Sequence, residues 1–298
     1  MKSLRFAAIA ACALVALAQG AWAACPSSTL TIPFQTAAET AGTGNLTDSA
    51  GNAWSYSAPA VPAGTSFGVP VTLTPATCGT PPGGPTLVNK ASCTSASGPI
   101  CRTPPVDMTG AKLIVVATSY GTGAVFTGPT DSSSNAYALG VTTSGTASAF
   151  LTCDYVFAPT VTNAMTFSGN FSSGGALSYG AISAAGFSAA GSSLDQKNSA
   201  NSGATGTATS QLPGSITPTQ PNELVVACLG LSPSAAGGSS SGVAIGSGYT
   251  IDGVANATYG VTEGAALAHL VQGTAAATDP TFNWTTGMYG MAGVLSFH

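Results

Sequence analysis

The sequence lacks charge. Charged residues make up 5% of the 298 residues, with six Lys and Arg against ten Asp and Glu. Lys2 and Arg5 lie in the N-terminal leader described below. Without them, four basic residues face ten acidic ones, a net charge of −6. A single remaining arginine provides no basic surface for nucleic acid or anionic lipid, so we expect neither as a partner.

Low charge is not accompanied by low hydrophobicity, because 44% of the residues are apolar. A chain of this composition has enough apolar surface to form a packed core, which excludes intrinsic disorder. Its surface must then be covered by Ser, Thr, Asn, Gln and Gly. Such a surface is typical of a protein outside the cell, and also of one that packs against copies of itself.

The sequence also lacks an apolar run long enough to cross a bilayer, so we expect no transmembrane segment. Its most apolar stretch, residues 6–17, follows the basic Lys2 and Arg5 and precedes the small-x-small sequence at residues 21–23. This order is that of a secretory signal peptide, which predicts cleavage after residue 23 and a secreted protein, extracellular or periplasmic.

Six cysteines remain after the leader, because Cys12 is removed with it: Cys25, Cys78, Cys93, Cys101, Cys153 and Cys228. An even number in an exported chain predicts disulfides rather than metal ligands or catalytic thiols. No pair has Cys-x-x-Cys spacing, and the chain has only two His. We therefore predict no metal and no cofactor.

No helical period is present beyond the leader, and short alternating or apolar runs separated by Gly, Ser, Asn and Pro predict an all-β protein. The fold class expected is an antiparallel β-sandwich, jelly-roll or Ig-like, with a disulfide-fastened N-terminal extension. The clearest predicted strands are 112–119, 149–157, 177–184, 223–231, 263–272 and 290–297. "LIVVA" and "LVVACL" are apolar on both faces, which places them centrally with both faces covered.

Residues 24–105 are predicted to form an N-terminal hairpin and a Pro/Cys-rich covering region, followed by the sandwich at 106–298 and continuous with it as one domain. Within the first part, residues 74–105 hold three cysteines and many prolines, which predicts a loop or flap rather than sheet. Residues 198–210 are either a linker or a Thr-rich edge strand.

Six cysteines permit 15 pairings, which spacing alone does not resolve. Cys153 and Cys228 both lie inside strong predicted strands, so we predict that they pair. Cys153 shares its strand face with Leu151, Tyr155 and Phe157. The other four cysteines, Cys25, Cys78, Cys93 and Cys101, would then form two further bridges.

One short motif occurs twice, as "TDSAGNAW" at residues 47–54 and "TDSSSNAY" at residues 130–137. Asp and Asn at this spacing form turns, because the Asp side chain accepts backbone amides and Asn tolerates positive φ. We predict that both copies are β-hairpin tips. The alternative is calcium bound at Asp48 and Asn52, or at Asp131 and Asn135, but neither copy has the further acidic ligands of a calcium loop.

The second copy follows "KLIVVATSYGTG" and precedes "FLTCDYVF…TVTNAMTFSG", "ELVVACLGL", "GSGYTI", "ALAHLVQ" and "GVLSFH". In this succession, about residues 108–298, the chain resembles an uncharacterised β-sandwich module common in exported bacterial proteins. The resemblance implies the sandwich fold and transfers no activity. The cysteines in two central strands depart from that pattern.

A catalytic interpretation has two forms. "GTSFG" at residues 64–68 matches Gly-x-Ser-x-Gly, with Ser66 as nucleophile and His269 or His298 as base, although no helix follows the serine as that motif requires. His269 shares a face with Leu267 and Val271, which favours a packed, hydrogen-bonded histidine. The other form is a carboxylate pair drawn from Asp154, Asp195, Glu223, Asp252, Glu263 and Asp279, but sequence spacing does not show their separation.

Aromatic residues at turns and strand ends are the stronger functional signal, because exposed rings stack on sugars. The predicted binding residues are Trp284, Tyr289, Trp54 and Tyr259. The leading hypothesis is a secreted, non-catalytic binding or adhesion module for a glycan or a cell-surface component. The alternatives are a self-associating structural subunit, whose edges lack blocking Lys and Pro, and a secreted hydrolase.

Overall fold

Regular structure is entirely β in the residues that a computed structural model describes, as the sequence pattern predicted. These are residues 84–95, 99–121, 124–145, 149–173, 179–188, 192–203, 207–233, 242–258 and 263–298, with the backbone of four earlier strands. No helix that could cross a membrane occurs among them.

The chain forms two compact units, residues 1–83 and 84–298. The strands of the first are β1 (Ser28–Pro33), β2 (Gly42–Thr47), β3 (Ala53–Ala58) and β4 (Gly68–Pro75). They form one antiparallel sheet in the order β1-β4-β3-β2. The backbone pair Thr47 and Ala53 closes a hairpin, as predicted for the first copy of the repeated motif. The tip itself, with Asp48 and Asn52, lies outside the described residues.

The second unit contains seventeen strands in its described residues. These are β5 (Leu87–Thr94), β6 (Ile100–Arg102), β7 (Leu113–Gly121), β8 (Ala124–Val125), β9 (Thr130–Asp131), β10 (Ala138–Gly145), β11 (Ala149–Phe157), β12 (Phe167–Asn170), β13 (Ser172–Ser173), β14 (Gly180–Phe187), β15 (Leu194–Asn201), β16 (Ala208–Gln211), β17 (Glu223–Pro233), β18 (Ala244–Ile245), β19 (Thr250–Ala255), β20 (Gly264–Gln272) and β21 (Phe282–Phe297).

Two antiparallel sheets carry most of these strands. The front sheet has the order β10-β11-β7-β14-β5, and the back sheet has the order β15-β21-β17-β20-β19. The two runs that are apolar on both faces, β7 and β17, lie in the middle of their sheets and are buried over most of their length. Their central positions were predicted, because a strand without a polar face needs cover on both sides.

The front and back sheets pack face to face over one apolar core. Strand β11 contributes Leu151, Cys153, Tyr155 and Phe157, the face predicted for it, and the back sheet contributes Leu295 among others. Cys153 and Cys228 form a disulfide across this core, with their Cα atoms 6.3 Å apart. Packed sheets normally lie about 10 Å apart, so this bridge marks a close approach between them. Small residues permit it, since Gly293 pairs with Cys228.

The outer face of each sheet is also covered. A three-stranded sheet, β6-β12-β9, packs on the front sheet through Phe167 and Met165. On the back sheet, Trp284 and Phe282 of the long strand β21 join a second apolar layer with Tyr249. Both central strands therefore have apolar neighbours on each side.

Two predictions for the Pro/Cys-rich region need correction. Residues 87–94 form the edge strand β5, which pairs with β14 in the front sheet, so this part of 74–105 is sheet rather than loop. The prolines lie outside the eight-residue strand and leave its ladder donors intact. Because β5 belongs to the front sheet, the second compact unit begins at residue 84 rather than 106.

Strand β15 closes one side of the unit through its side chains. Lys197 Nζ donates to the Gly140 carbonyl at 2.8 Å, and Asn201 Nδ2 donates to the Ser144 carbonyl at 2.8 Å. Between them, Ser199 Oγ lies 3.5 Å from the Thr142 carbonyl. Alternate residues of β15 therefore cap alternate carbonyls of β10, the edge strand of the front sheet. The sequence allowed residues 198–210 to be a linker or an edge strand, and residues 198–201 belong to strand β15.

The second copy of the repeated motif is not a hairpin tip. Strand β9 pairs with β12 in the covering sheet, whereas β10 pairs with β11 in the front sheet, so the turn connects two different sheets. Asp131 Oδ1 accepts the amides of Ser133 and Asn135 at 2.8 and 3.2 Å. Ser134, rather than Asn135, takes the positive φ of 59°.

Candidate functional site

The turn at Asp131 has no free carboxylate oxygen for calcium. Besides the two amides on Oδ1, Oδ2 accepts Asn135 Nδ2 at 2.9 Å and the Tyr137 hydroxyl at 2.7 Å. Asn135 Oδ1 accepts the Thr160 amide at 2.7 Å. The oxygens that calcium would need are thus occupied by donors of the turn and of the neighbouring loop. The structure therefore favours a turn rather than a calcium site at the second copy of the motif.

The predicted aromatic surface is not formed by Trp284. Its side chain is 4% exposed and belongs to the apolar layer on the back sheet, where the indole lies against the backbone of Gly290. A buried ring has no face for a sugar, so the prediction for Trp284 is wrong. Tyr289 is half-buried on the opposite face of the same strand. The side chains of Trp54 and Tyr259 lie outside the described residues.

His269 is packed and hydrogen-bonded, as its strand position predicted. Its Nδ1 lies 2.7 Å from Asp252 Oδ1, and its ring meets the Phe187 ring edge-on at 5.3 Å. Asp252 is the extra residue of a bulge, since the β19–β20 register shifts between Ile251 and Gly253. The bulge explains how an alternating strand directs this carboxylate into the interior. No described hydroxyl lies within hydrogen-bonding distance of His269, and Ser66 lies outside the described residues.

The remaining candidate carboxylates are dispersed. Asp279 accepts the Gly214 amide at 3.1 Å and has the role of a loop anchor. Glu263 is buried and accepts the Ser232 hydroxyl at 3.2 Å. Burial raises the pKa of Glu263 to about 8, opposed in part by that hydrogen bond. Asp154 lies on the front sheet, away from the other candidates. The candidate carboxylates that the structure brings together are Asp195 and Glu223, which are described below.

Four aromatic rings lie together on the outer face of the front sheet, and none of them was a predicted binding residue. Phe150 of β11 stacks on Tyr120 of β7, with centroids 5.2 Å apart and planes 18° apart. Phe126 adds a ring 5.0 Å from Tyr120, and Phe171 stacks on Phe126 at 5.5 Å. We call these four residues the aromatic face.

The strand register explains how the aromatic face forms. Phe150 and Tyr120 are directly opposite each other in the β11–β7 ladder, and Gly180 of β14 is opposite Tyr120 on its other side. Cross-strand neighbours on one face lie close enough for rings to stack. Gly180 has no side chain, so the Phe171 ring lies directly on its backbone. Phe150, Tyr120 and Phe126 remain half-buried, whereas Phe171 is buried.

Polar groups continue the same face next to the rings. Thr152 and Asp154 follow Phe150 at two-residue spacing on β11, and Thr118 stands opposite Thr152 on β7. Thr152 Oγ1 donates to Asp154 Oδ2 at 2.7 Å. Thr118 Oγ1 is buried and has no hydrogen-bond partner among the described residues. A buried hydroxyl without a described partner and a buried carboxylate thus lie next to the half-buried rings.

Of the three polar residues on this face, Thr118, Thr152 and Asp154, only Asp154 can carry a charge. Burial raises the pKa of Asp154 to about 6, against the lowering effect of the Thr152 hydrogen bond. Burial also raises the pKa of Tyr120, and the negative charge of Asp154 adds to that effect. Rings, hydroxyls and a single carboxylate are the groups that bind uncharged, hydroxyl-rich ligands.

A second cluster lies at one end of the back sheet. Asp195, Glu223 and His298 each place one oxygen or nitrogen within 4.8 Å of those of the other two. Asp195 and Glu223 were among the candidate carboxylates, but the sequence separates them and gives no sign that β15, β21 and β17 are adjacent. His298 follows β21 and was not a predicted ligand.

The aromatic face was missed because prediction concentrated on Trp and Tyr at turns. Phe150 lies inside a predicted strand and Tyr120 directly follows another, where an apolar ring is normally core. One sequence signal was available: Phe150, Thr152 and Asp154 alternate with the inward residues of β11, so they share its outer face. A ring followed by two polar residues on that face distinguishes it from the wholly apolar inward face.

Comparisons with protein families, curated proteins and solved structures found no match for this chain.

Proposed function

We propose that this protein is a secreted, non-catalytic binding module that holds an uncharged glycan on its aromatic face. In this proposal its packed sheets form a β-sandwich of the jelly-roll or Ig-like type, fastened by disulfides to an N-terminal extension. The observation that carries the proposal is the stack of Phe150, Tyr120 and Phe126 beside Thr152 and Asp154. Sugar rings present C–H faces that stack on aromatic rings, and Phe150 and Tyr120 are half-buried rings that could be stacked upon in this way.

Export is supported by the leader sequence and by the disulfides. The described residues contain two disulfides, Cys93–Cys101 and Cys153–Cys228, and such bonds persist in oxidising compartments. Low charge on the chain fits a neutral ligand, because charged partners are recognised through complementary charge. A glycan of the cell surface or extracellular matrix satisfies both conditions.

The two alternatives have less support. Self-association through sheet edges requires a free edge, and side chains of β15 already cap the carbonyls of β10, one edge strand of the front sheet. A hydrolase requires a nucleophile beside its base, but the half-buried His269 contacts Asp252 and Phe187 and no described hydroxyl. The binding module is therefore the function that the geometry supports best.

Depletion binding to insoluble polysaccharides tests this proposal. The mature, oxidised protein is incubated with cellulose, chitin and peptidoglycan, and the unbound fraction is measured as a function of protein concentration. We expect saturable binding to at least one of them, at least tenfold weaker for Phe150→Ala. Because the interaction is between neutral groups, raising salt from 0.05 to about 0.5 M should leave it unchanged.

Two further variants make the result specific. Leu139→Ala removes an apolar side chain that is 54% exposed on the neighbouring strand β10, and it should bind like the wild type. Tyr289→Ala distinguishes the aromatic face from the surface that the sequence predicted. Loss of binding in Tyr289→Ala with full binding in Phe150→Ala would contradict the proposal, as would an absence of binding to all three polysaccharides.

A further inference from the structure

The sheet order brings together three potential metal ligands that are far apart in sequence. Asp195 is the second residue of β15, Glu223 is the first residue of β17, and His298 follows the last residue of β21. Strand β21 lies between the other two, and its residue Phe297 pairs with Leu194 on one side and Leu224 on the other. The three side chains therefore occupy the same end of the back sheet.

Each of the three groups is held by a neighbour that contributes no ligand. Thr219 donates its amide to Asp195 Oδ2 at 2.8 Å and its hydroxyl to Oδ1 at 3.0 Å. The Gln220 amide donates to Glu223 Oε1 at 2.8 Å. Ser193 Oγ lies 3.2 Å from His298 Nε2, which leaves Nδ1 facing Asp195 Oδ1 at 4.0 Å. Metal ligands in proteins are typically oriented by such partners.

Glu223 provides the observation that points to a ligand. Its side chain is 1% exposed, and its second oxygen, Oε2, is buried without a hydrogen-bond partner. A buried carboxylate oxygen without a donor is costly unless a positive group neutralises it. Within the described residues, no Lys or Arg forms an ion pair with Glu223 or Asp195. Apart from His298, which lies 4.0 Å from Asp195 Oδ1 and is charged only when protonated, no described side chain supplies positive charge to this pair of carboxylates.

We propose that Asp195, Glu223 and His298 bind one divalent transition-metal ion, with Zn²⁺ as the best match. Two carboxylate oxygens and one imidazole nitrogen form a ligand set that zinc accepts, whereas calcium prefers oxygen alone. Tetrahedral zinc with bonds of about 2.0–2.2 Å places its ligand atoms roughly 3.4 Å apart. The present atoms lie within 4.8 Å of one another, so no two of them would need to approach by more than about 1.4 Å.

The ion would enter from the His298 side, where the imidazole side chain is 35% exposed. Three protein ligands leave a fourth position for water, and the buried Glu223 forms the floor of the site. The ion would neutralise the two carboxylates. Together with His298, they would then link the ends of β15, β17 and β21. This site involves no residue of the aromatic face, so zinc binding and glycan binding can be tested independently.

Isothermal titration of the chelator-treated, mature protein with ZnCl₂ tests the proposal. We expect one Zn²⁺ per chain, with a dissociation constant that rises at least tenfold in His298→Ala and in Glu223→Gln. His298→Ala changes an exposed residue, so it remains informative if Glu223→Gln fails to fold. Co²⁺ in place of Zn²⁺ should give visible absorption bands that His298→Ala removes, which reports coordination by the imidazole directly.

Asp107→Asn is the matched control, because it removes one carboxylate that hydrogen-bonds only locally, to Thr109 two residues later. It should bind Zn²⁺ like the wild type. Unchanged affinity in His298→Ala would show that zinc binds elsewhere and would overturn the proposal. Absence of binding up to 1 mM ZnCl₂ would also overturn it, and would indicate that Asp195 and Glu223 share a proton instead of a metal ion.

Discussion

At the scale of single residues, the molecule contains several buried polar groups whose hydrogen bonds are incomplete. Thr118 Oγ1, Asp252 Oδ2, Glu263 Oε2 and Glu223 Oε2 are all buried without a partner among the described residues. Such groups are rare in folded proteins, because each costs about 1–3 kcal/mol. Thr118 lies beside the aromatic face and Glu223 in the proposed zinc site.

Glu263 should make stability depend on pH. Burial raises its pKa to about 8 in the folded protein, so the folded state binds the proton more tightly than the unfolded state. Its contribution to stability is complete below pH 4.5 and is lost as pH rises to about 8, at most about 1.4 kcal/mol per pH unit. Glu263→Gln should remove this part of the slope.

Urea unfolding of the wild type and Glu263→Gln at pH 5, 6.5 and 8 measures the effect. The variant should gain stability relative to the wild type as pH rises. A difference in unfolding free energy that is the same at all three pH values would show that Glu263 titrates normally.

Gly180 should tolerate no side chain. A Cβ atom there would overlap the Phe171 ring, so Gly180→Ala must displace that ring from the aromatic face. We expect a loss of about 1–3 kcal/mol in unfolding free energy, as for other overpacked sites. Gly273→Ala, where the added Cβ meets no atom within 4 Å, is the control in the same unfolding assay. Equal stability of the two variants would contradict the packing described for Phe171.

At the scale of elements, the front sheet depends on β15 as much as on its own strands. Side chains of Lys197 and Asn201 satisfy carbonyls of the edge strand β10 that would otherwise face solvent or another chain. Natural proteins protect such edges because free ladder groups pair with other molecules. Here the protection is provided by the facing sheet.

Removal of this protection should expose the edge of β10. The double variant Lys197→Met/Asn201→Ala should lose about 1–2 kcal/mol in unfolding free energy, since each hydrogen bond contributes roughly 0.5–1.5 kcal/mol. It should also elute earlier from size-exclusion columns as concentration rises. Lys112→Met, which removes an exposed lysine outside any strand, controls for the lost charge. A double variant that elutes identically at all concentrations would show that β10 is protected in another way.

Prediction from sequence succeeded best for individual strands. Strand β11 has the predicted bounds and inward face, because five of its alternating residues are large or apolar. Strand β5 was missed, because prolines on both sides hid an eight-residue strand without strong periodicity. The Asp131 turn was recognised by its side-chain chemistry, but sequence does not show which strands a turn connects.

The candidate sites were predictable only in part, because they depend on pairing across strands. Phe150 and Tyr120 are 30 positions apart and meet through the β11–β7 register. His298 reaches Asp195 only because β21 lies between β15 and β17. Trp284 was misjudged because its position near a strand end does not reveal that β21 continues for sixteen residues. Strand order and register, rather than residue type, carried the missing information.

At the scale of the whole molecule, the second unit is a pair of packed sheets with further apolar layers outside each. Disulfides connect layers rather than neighbouring strands: Cys153–Cys228 joins the front and back sheets, and Cys93–Cys101 joins β5 to the covering strand β6. With few ion pairs available to a chain of 5% charged residues, these bonds and apolar burial are the main stabilising terms.

The two disulfides should contribute unequally. Cys153–Cys228 spans 75 residues and Cys93–Cys101 spans 8. Because a longer closed loop restricts the unfolded chain more, loop entropy predicts that Cys153→Ala/Cys228→Ala costs about 2 kcal/mol more than Cys93→Ala/Cys101→Ala. Urea unfolding of the two double variants compares them directly. A larger loss in the Cys93/Cys101 variant would show that the covering sheet, and not the contact between the main sheets, limits stability.

Peptide mapping by mass spectrometry, without reduction of the protein recovered from outside the cytoplasm, tests whether oxidised cysteines hold the two packed sheets together. We predict an N-terminus that lacks residues 1–23, and cross-linked peptides that join Cys153 to Cys228 and Cys93 to Cys101. Free thiols at these four positions, or a bond between Cys93 and Cys153, would contradict the account.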